Sequence, residues 1–348
     1  MKKYYFLFLL AIASGIGQQS LVAQDIHFSQ VTNVPLWLNP GITGFTPGVA
    51  RIAVQHRNQW FSTTKDGFFK SPFLTTALSF DMPIEIKHDV LGIGLFIAND
   101  QQGANTFTGI ICNASVSYIK TLGRDENHRL AAGFQAGYTH QIIKSQDFQF
   151  ANQFVNNVFQ SSIDNNEGIT KNNVGYVNLH GGLFWYGKVH NQLGMYAGSS
   201  FYNATVPKYN ILPNQSNRIY WRWNVHAGMD IILSKKYHIL PAAMFTRQGV
   251  NRQLNIGLGF GYDFADDKGL TIGCYTRVDD ISKGIINDAV FPYVGVNVSG
   301  FKIGLSYDAT TSKLKNTGSG VGALEIHLSY TVKKRDYNFS GSLVCPRF

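Results

Sequence analysis

Hydrophobic and polar residues alternate most strictly near the end of the chain, in the stretch FKIGLSYDATTSKLKNTGSGVGALEIHLSY beginning at Phe301. Phe301, Ile303, Leu305 and Tyr307 alternate with Lys302, Gly304, Ser306 and Asp308. After a polar loop, Leu324, Ile326, Leu328, Tyr330 and Val332 alternate with Glu325, His327, Ser329 and Thr331. A period of two predicts strands with one apolar face and one polar or small face. No amphipathic helical pattern elsewhere in the chain could cover such faces. The apolar face is therefore expected to meet lipid, with the sheet closed so that no backbone edge is left unpaired.

The same texture recurs along the chain and predicts an all-β fold, a transmembrane antiparallel β-barrel of about 14 strands. The predicted strands are 50–60, 72–83, 89–99, 106–120, 128–142, 173–187, 192–203, 218–232, 236–247, 252–264, 269–278, 290–299, 300–309 and 321–332. The cleanest faces set Trp221, Trp223, Val225, Ala227, Met229 and Ile231 against Arg222, Asn224, His226, Gly228 and Asp230. Equally clean are Leu254, Ile256, Leu258, Phe260, Tyr262 and Phe264 against Asn255, Gly257, Gly259, Gly261 and Asp263. The connections carry independent information. Short charged turns at 85–88, 123–127, 234–235 and 265–268 alternate with longer connections at 61–71, 143–172, 279–289 and 310–320. Short periplasmic turns alternating with longer outer loops is the rule for such barrels, and it places both termini in the periplasm. Tyr and Trp cluster near strand ends, as an interfacial girdle requires.

The ends of the chain read differently. Residues 1–23 have a Lys2-Lys3 start, an apolar run and a small, polar region, the pattern of a secretory signal peptide. Residues 24–48 carry Pro35, Pro40 and Pro47 and no sustained period. Irregular backbone at membrane depth is tolerated only inside protein, so this segment is expected to be either a plug in the lumen or a periplasmic arm. The barrel is assigned to 49–332, and residues 333–348 form a basic periplasmic tail. Composition agrees: 35 Gly, 14% aromatic and only 15% charged residues suit a barrel better than a helical or α/β enzyme. The formal charge of +9, or +7 without Lys2 and Lys3, shows no basic stripe interleaved with aromatics, which argues against nucleic acid as a partner. Cys112 and Cys274 fall on apolar strand faces and Cys345 is left over, so the cysteines form no metal spacing. There is no G-x-S-x-G, H-E-x-x-H, phosphate-binding loop or C-x-x-C pattern, and the glycines at 257, 259 and 261 lie on a strand with no following helix. No catalytic constellation emerges, and neither cofactor nor metal is expected. The charges facing the lumen, Arg222, Asp230, Asp263 and Arg277, are expected to pair across it.

Several short motifs, in order from residue 24 to the last residue, resemble the PorP/SprF-like outer-membrane proteins of type IX secretion and gliding in Bacteroidetes. Gln24-Asp25-Ile26-His27-Phe28-Ser29-Gln30 is similar to that family's Q-D-P-x-F-S-Q opening, with Ile26 in place of the usual Pro. Pro35-Leu36-Trp37-Leu38-Asn39-Pro40-Gly41 is similar to its N-P-L-x-x-N-P-A, with Gly41 replacing Ala. Arg57-Asn58-Gln59-Trp60 matches its R-N-Q-W. Ser306-Tyr307-Asp308, Ser312-Lys313-Leu314, Glu325-Ile326, Leu328-Ser329-Tyr330 and the terminal Cys-Pro-Arg-Phe resemble its closing hairpin and end. The resemblance implies a non-enzymatic barrel in the outer-membrane lipid that binds partners. It implies a secreted, adhesin-like surface protein that the barrel helps export or anchor. It also implies a periplasmic OmpA-like peptidoglycan-binding protein and other type IX secretion components. Asn39-Pro40 and Arg57–Trp60 are the residues expected to fix the N-terminal segment to the wall, and the loops 143–172 and 204–217 are expected to contact the client. The other reading is a plugged channel for hydrophobic or small-molecule substrates.

Overall fold

The computed structural model describes residues 25–60, 73–103, 107–144, 150–156, 158–163, 172–209, 217–279, 286–312 and 322–333. The expected signal peptide, the tail beyond Lys333 with Cys345, Lys313 and Leu314, and parts of both client loops lie outside these residues.

Fourteen long strands close into one barrel. They are β1 (Ala50–Gln59), β2 (Phe73–Ile86), β3 (Asp89–Gln102), β4 (Phe107–Leu122), β5 (His128–Ile143), β6 (Asn173–His190) and β7 (Leu193–Tyr202). The second half is β8 (Arg222–Ile232), β9 (Tyr237–Gln248), β10 (Asn251–Ala265), β11 (Lys268–Asp279), β12 (Ile286–Val298), β13 (Phe301–Thr310) and β14 (Gly322–Val332). Each strand pairs antiparallel with its sequence neighbour, and β1 closes on β14 from Ala50 opposite Val332 to Gln59 opposite Ala323. Closure supplies every strand with two neighbours, which the absence of water in a bilayer requires.

The alternation read from the sequence decides which side chains meet lipid. Phe301, Ile303, Leu305 and Tyr307 are exposed on the outside, while Ser306 and Asp308 are buried within. In β8, Arg222, Asn224 and His226 point inward, and Trp223, Val225 and Met229 outward. Cys112 and Cys274 are on the outer face. The expected strand at 218–232 is shorter in the structure. Asn217–Arg218 pairs with Lys208–Tyr209 in a small hairpin of its own, and β8 starts at Arg222.

One end of the barrel carries the tight turns 87–88, 191–192, 266–267 and 299–300, and the other carries the 144–172 and 203–221 connections. Ser299 and Gly300 both have positive φ (50° and 89°), as a two-residue hairpin turn needs to match strand twist. The register shifts at Lys188/His190, Asp263/Ala265 and Arg277/Val278, and the ladder has two gaps besides. No pairing joins Met229–Asp230 to Leu240–Pro241, or Phe291–Pro292 to Tyr307–Asp308, although the register on either side is continuous. Each gap contains a proline, which has no N–H to donate to a neighbour.

Candidate functional site

Residues 25–48 run inside the barrel, where three short helical turns, Val31–Asn33, Pro35–Leu38 and Pro40–Ile42, are buried against the wall. A proline opens the second and third turns, where its missing N–H costs nothing. The segment starts at the loop end. The Asp25 amide donates to Gln248 (2.9 Å), and its carboxylate accepts from Asn203 (2.8 Å) and faces Arg222 (3.5 Å). It leaves at the turn end, where the Val49 amide donates to the Val332 carbonyl (2.9 Å). Lys333 lies at that same end, paired with Asp267. Asp25 and Lys333 therefore sit at opposite ends of the barrel, because the segment crosses the lumen. The termini themselves, which the sequence reading put on one side, lie outside the described residues.

Three anchorages hold the segment. The first is a charge cluster at the β1–β14 closure. Arg57 and Glu325 are direct cross-strand partners, and their side chains form an ion pair. Arg57 Nη2 also reaches Asp308 (3.0 Å), and Arg277 Nη2 donates to the same Asp308 oxygen (2.9 Å) while its Nε donates to Asp288 (2.9 Å). Into this cluster the segment inserts Ser29 and Gln30. The Ser29 hydroxyl donates to Asp308 (2.7 Å) and accepts from Arg57 (2.9 Å) and Arg277 (3.1 Å). The backbone amides of Ser29 and Gln30 donate to the two Glu325 oxygens (2.6 and 2.9 Å), and Gln55 donates to the second (3.0 Å). Arg57, Asp308 and Glu325 are almost completely buried. Two guanidiniums face two buried carboxylates, with Asp288 at the edge, and Ser29 and Gln30 supply hydrogen bonds to both carboxylates, although Arg57 Nε and Asp308 Oδ1 have no partner among the described residues.

The second anchorage is Asn39. Its Oδ1 caps the third turn by accepting the Gly41 amide (2.8 Å), which leaves Nδ2 for the Leu183 carbonyl (2.8 Å) and His226 Nε2 (3.1 Å). Pro40 and Asn39 press on Gly133 and Gly182 so closely that a Cβ at either glycine would overlap them. Past this point the Gly44 amide donates to Asp81 (2.8 Å), whose carboxylate is also clasped in bidentate fashion by Arg51 (2.9 and 2.8 Å).

The third is aromatic. Trp37 stacks on Phe96 (5.3 Å between centroids), donates to the Ile26 carbonyl (3.1 Å), and is covered by the Arg222 guanidinium at 4.1 Å. Arg222 also lies over Tyr202 at 4.2 Å. Phe28, Val34 and Leu36 fill the space beside Trp37.

The residues singled out from the sequence separate into two groups. Ser29, Gln30, Arg57, Asp308 and Glu325 converge, although they come from both ends of the chain. Phe28, Asn39 and Pro40 belong to the same buried segment. Gln59 lies 3.5 Å from Arg57 at the edge of the cluster. Trp60 instead packs edge-on against Phe73 and bonds Gly322, while Asn58 is buried on the other face of β1. Tyr307 is exposed on the outer face, Tyr330 packs on Phe301, and the Ser312 amide is bonded to Asp288. The sequence reading gave no part to Gln55 or Asp81, and it named Arg222 and Arg277 only as lumen charges. A charge on the inward face of a spanning strand was the signal available for Asp81. Among the described residues, no group of three His, Cys, Asp or Glu is placed to hold a metal ion.

Similar barrels are known. The TodX monoaromatic hydrocarbon channel deltaS2 mutant superposes with a TM-score of 0.52 at 9% identity, over 87% of this chain and 94% of that one. The Ralstonia pickettii toluene transporter TbuX gives 0.49 at 8% identity, covering 85% and 92%. The P. putida toluene transporter TodX gives 0.49 at 10%, covering 86% and 93%. At such identity the first likeness shows the fold alone. No curated protein matches the sequence. The profile of the type IX secretion system membrane protein PorP/SprF family matches residues 20–330. The chain, an outer-membrane β-barrel, belongs to the PorP/SprF family of type IX secretion.

Proposed function

We propose that this protein is a non-enzymatic component of type IX secretion that holds, or helps export, a secreted surface protein at the outer membrane. Residues 1–23 direct export as a signal peptide, the turn end faces the periplasm, and the loop end faces outward. The observation that carries the reading is family membership combined with a lumen filled by the chain's own N-terminal segment. A barrel so filled works through its ends, and its long connections, 144–172 and 203–221, are all at one of them. They are weakly charged and bear aromatics, a composition suited to protein contact. Residues 25–48 act as a plug. At the turn end a vestibule of about 900 Å³, lined by Arg51, Lys235, Lys236, Lys268 and Lys302, gives room for a periplasmic partner such as a peptidoglycan-binding protein.

The test is affinity purification from the native outer membrane in mild detergent, comparing the wild type with a variant lacking 143–172. The wild type is expected to bring down a large secreted protein in near-stoichiometric amount, and the variant to assemble as a barrel and lose it. Equal recovery of the client by both would overturn the assignment of that loop, and recovery of the barrel alone would overturn the anchor reading.

A further inference from the structure

The vestibule at the turn end is bounded on one side by the inner segment, through Asn33, Pro35, Phe45 and Pro47, and on the other by β10–β14 and β1. Arg51, Lys235, Lys236, Lys268, Lys302 and Lys333 line it, against Asp263, Asp266 and Asp267. Part of this set is already matched. Arg51 is clasped by Asp81, Lys333 pairs with Asp267, and Asp263 faces His238 Nε2 at 3.3 Å. The positive excess therefore falls to Lys235, Lys236, Lys268 and Lys302, with Asp266 among them. It is local to this arc. On the other side of the same end, residues 85–88 and 123–127 carry Lys87 and Arg124 against Glu85, Asp125 and Glu126, an excess of the opposite sign. A cleft lined by one sign of charge between low-dielectric walls concentrates its field in the space it encloses.

The innermost of these cations is held in place. Lys302 Nζ donates to Asn33 Oδ1 (2.6 Å), and Asn33 Nδ2 donates in turn to Gln30 (2.9 Å) of the first anchorage. Lys302 stands in a cross-strand row with Asn297 and Ser329, and the row ends in the small residues Gly269 and Ala53. All five line the vestibule, so a polar strip lies along its wall with room at either end. Ammonium groups beside amide and hydroxyl side chains suit the oxygens of a carboxylate or a phosphate. Two features favour carboxylates carried on a peptide. The wall separates the vestibule from the bilayer, so a headgroup tethered to acyl chains is kept from Lys302. Pro35, Phe45 and Pro47 also give the same space an apolar side, which the aliphatic parts of a peptide can cover. A volume of about 900 Å³ stands near the top of the ~300–1,000 Å³ range of small-molecule pockets and holds several residues of extended chain.

We propose that the vestibule receives an acidic peptide segment of the periplasmic partner, an extended stretch rich in Asp and Glu. Its carboxylates meet Lys235, Lys236 and Lys268 at the mouth and Lys302 at the floor. The proposal rests on the reading of the turn end as the periplasmic side, and it names the chemistry by which a partner there is recognised.

The test uses the full chain in phosphatidylcholine nanodiscs, which leave both ends accessible. The probes are a short dye-labelled peptide of alternating Glu and Ser and its counterpart with Gln in place of Glu, with binding read by fluorescence anisotropy. The Glu peptide is expected to bind, more weakly as salt is raised, and the Gln peptide not to bind. Lys302→Met should weaken binding roughly tenfold and Lys235→Gln with Lys236→Gln roughly threefold, since a charge at the floor is less screened than charges at the rim. Lys87→Gln with Arg124→Gln removes as much charge from the other arc and should leave binding unchanged. Heat-modifiable migration on gels confirms that each variant is a folded barrel. Equal binding of the two peptides, or equal loss in the two double variants, would overturn the proposal. Displacement of the peptide by glycerol phosphate, but not by chloride at equal ionic strength, would overturn it in favour of a phosphate group. The orientation is tested separately by an epitope inserted at 123–127. Staining of intact cells would overturn the periplasmic reading alone, whereas absence of peptide binding with an unstained epitope would overturn the site alone.

Discussion

Arg57 joins the first strand to the last and both to the inner segment. Removing one member of a buried ion pair leaves the other charge uncompensated, at a cost of about 3–5 kcal/mol. Arg57→Met, which strips Glu325 of its ion-pair partner, should therefore lower stability against urea in lipid vesicles by that amount. The double variant Arg57→Met with Glu325→Leu should recover part of the loss, because the uncompensated charge has gone. Arg222 acts differently, through the faces of Trp37 and Tyr202. Arg222→Leu should cost about 1–2 kcal/mol, and Arg222→Lys less, since an ammonium keeps the attraction but loses the flat stacking surface. The motif residues Arg57, Asp308 and Glu325 could be picked out in the sequence, but their meeting could not. Arg57 is 251 residues from Asp308 and 268 from Glu325, and only the pairing of β1 with β14 brings it to them.

At the scale of elements, the strands follow from a period of two and the turns from positive φ at residues such as Gly300. The inner segment follows neither rule. Its backbone has no ladder to join, so its amides are met within its own short turns and, between them, by side chains: Glu325 for the amides of Ser29 and Gln30, Asp81 for Gly44, and Asn39 for Gly41. Its seat depends on small wall residues. Gly182→Leu should leave the outer face of β6 unchanged and the barrel folded, yet displace Asn39 and Pro40 from the wall. Limited proteolysis should then cut within residues 25–48 of the variant under conditions that leave the wild type intact. No local pattern announced Gly133 or Gly182 as contact points, because a strand glycine reads the same whether it faces a neighbour's backbone or water.

For the molecule as a whole, the filled lumen determines what the barrel does to small solutes. The wild type should be electrically silent in a planar bilayer, and deletion of 25–46 should open steady conductance. A silent deletion variant would mean that the wall side chains alone close the pore. The fourteen strands still close on one another, so the deletion should retain the strand content by circular dichroism while losing urea resistance. Sequence alone determined the strand number, the lipid and lumen faces, and the choice of a barrel, since alternation and turn spacing are local and the bilayer admits few solutions. Tertiary structure decided the rest. Whether residues 25–48 lie inside the lumen, which charges meet there, and where Asp25 emerges all depend on contacts between remote positions. Such contacts exist only once the sheet has closed, because each strand fixes its neighbours' register but carries no record of what faces it across the barrel.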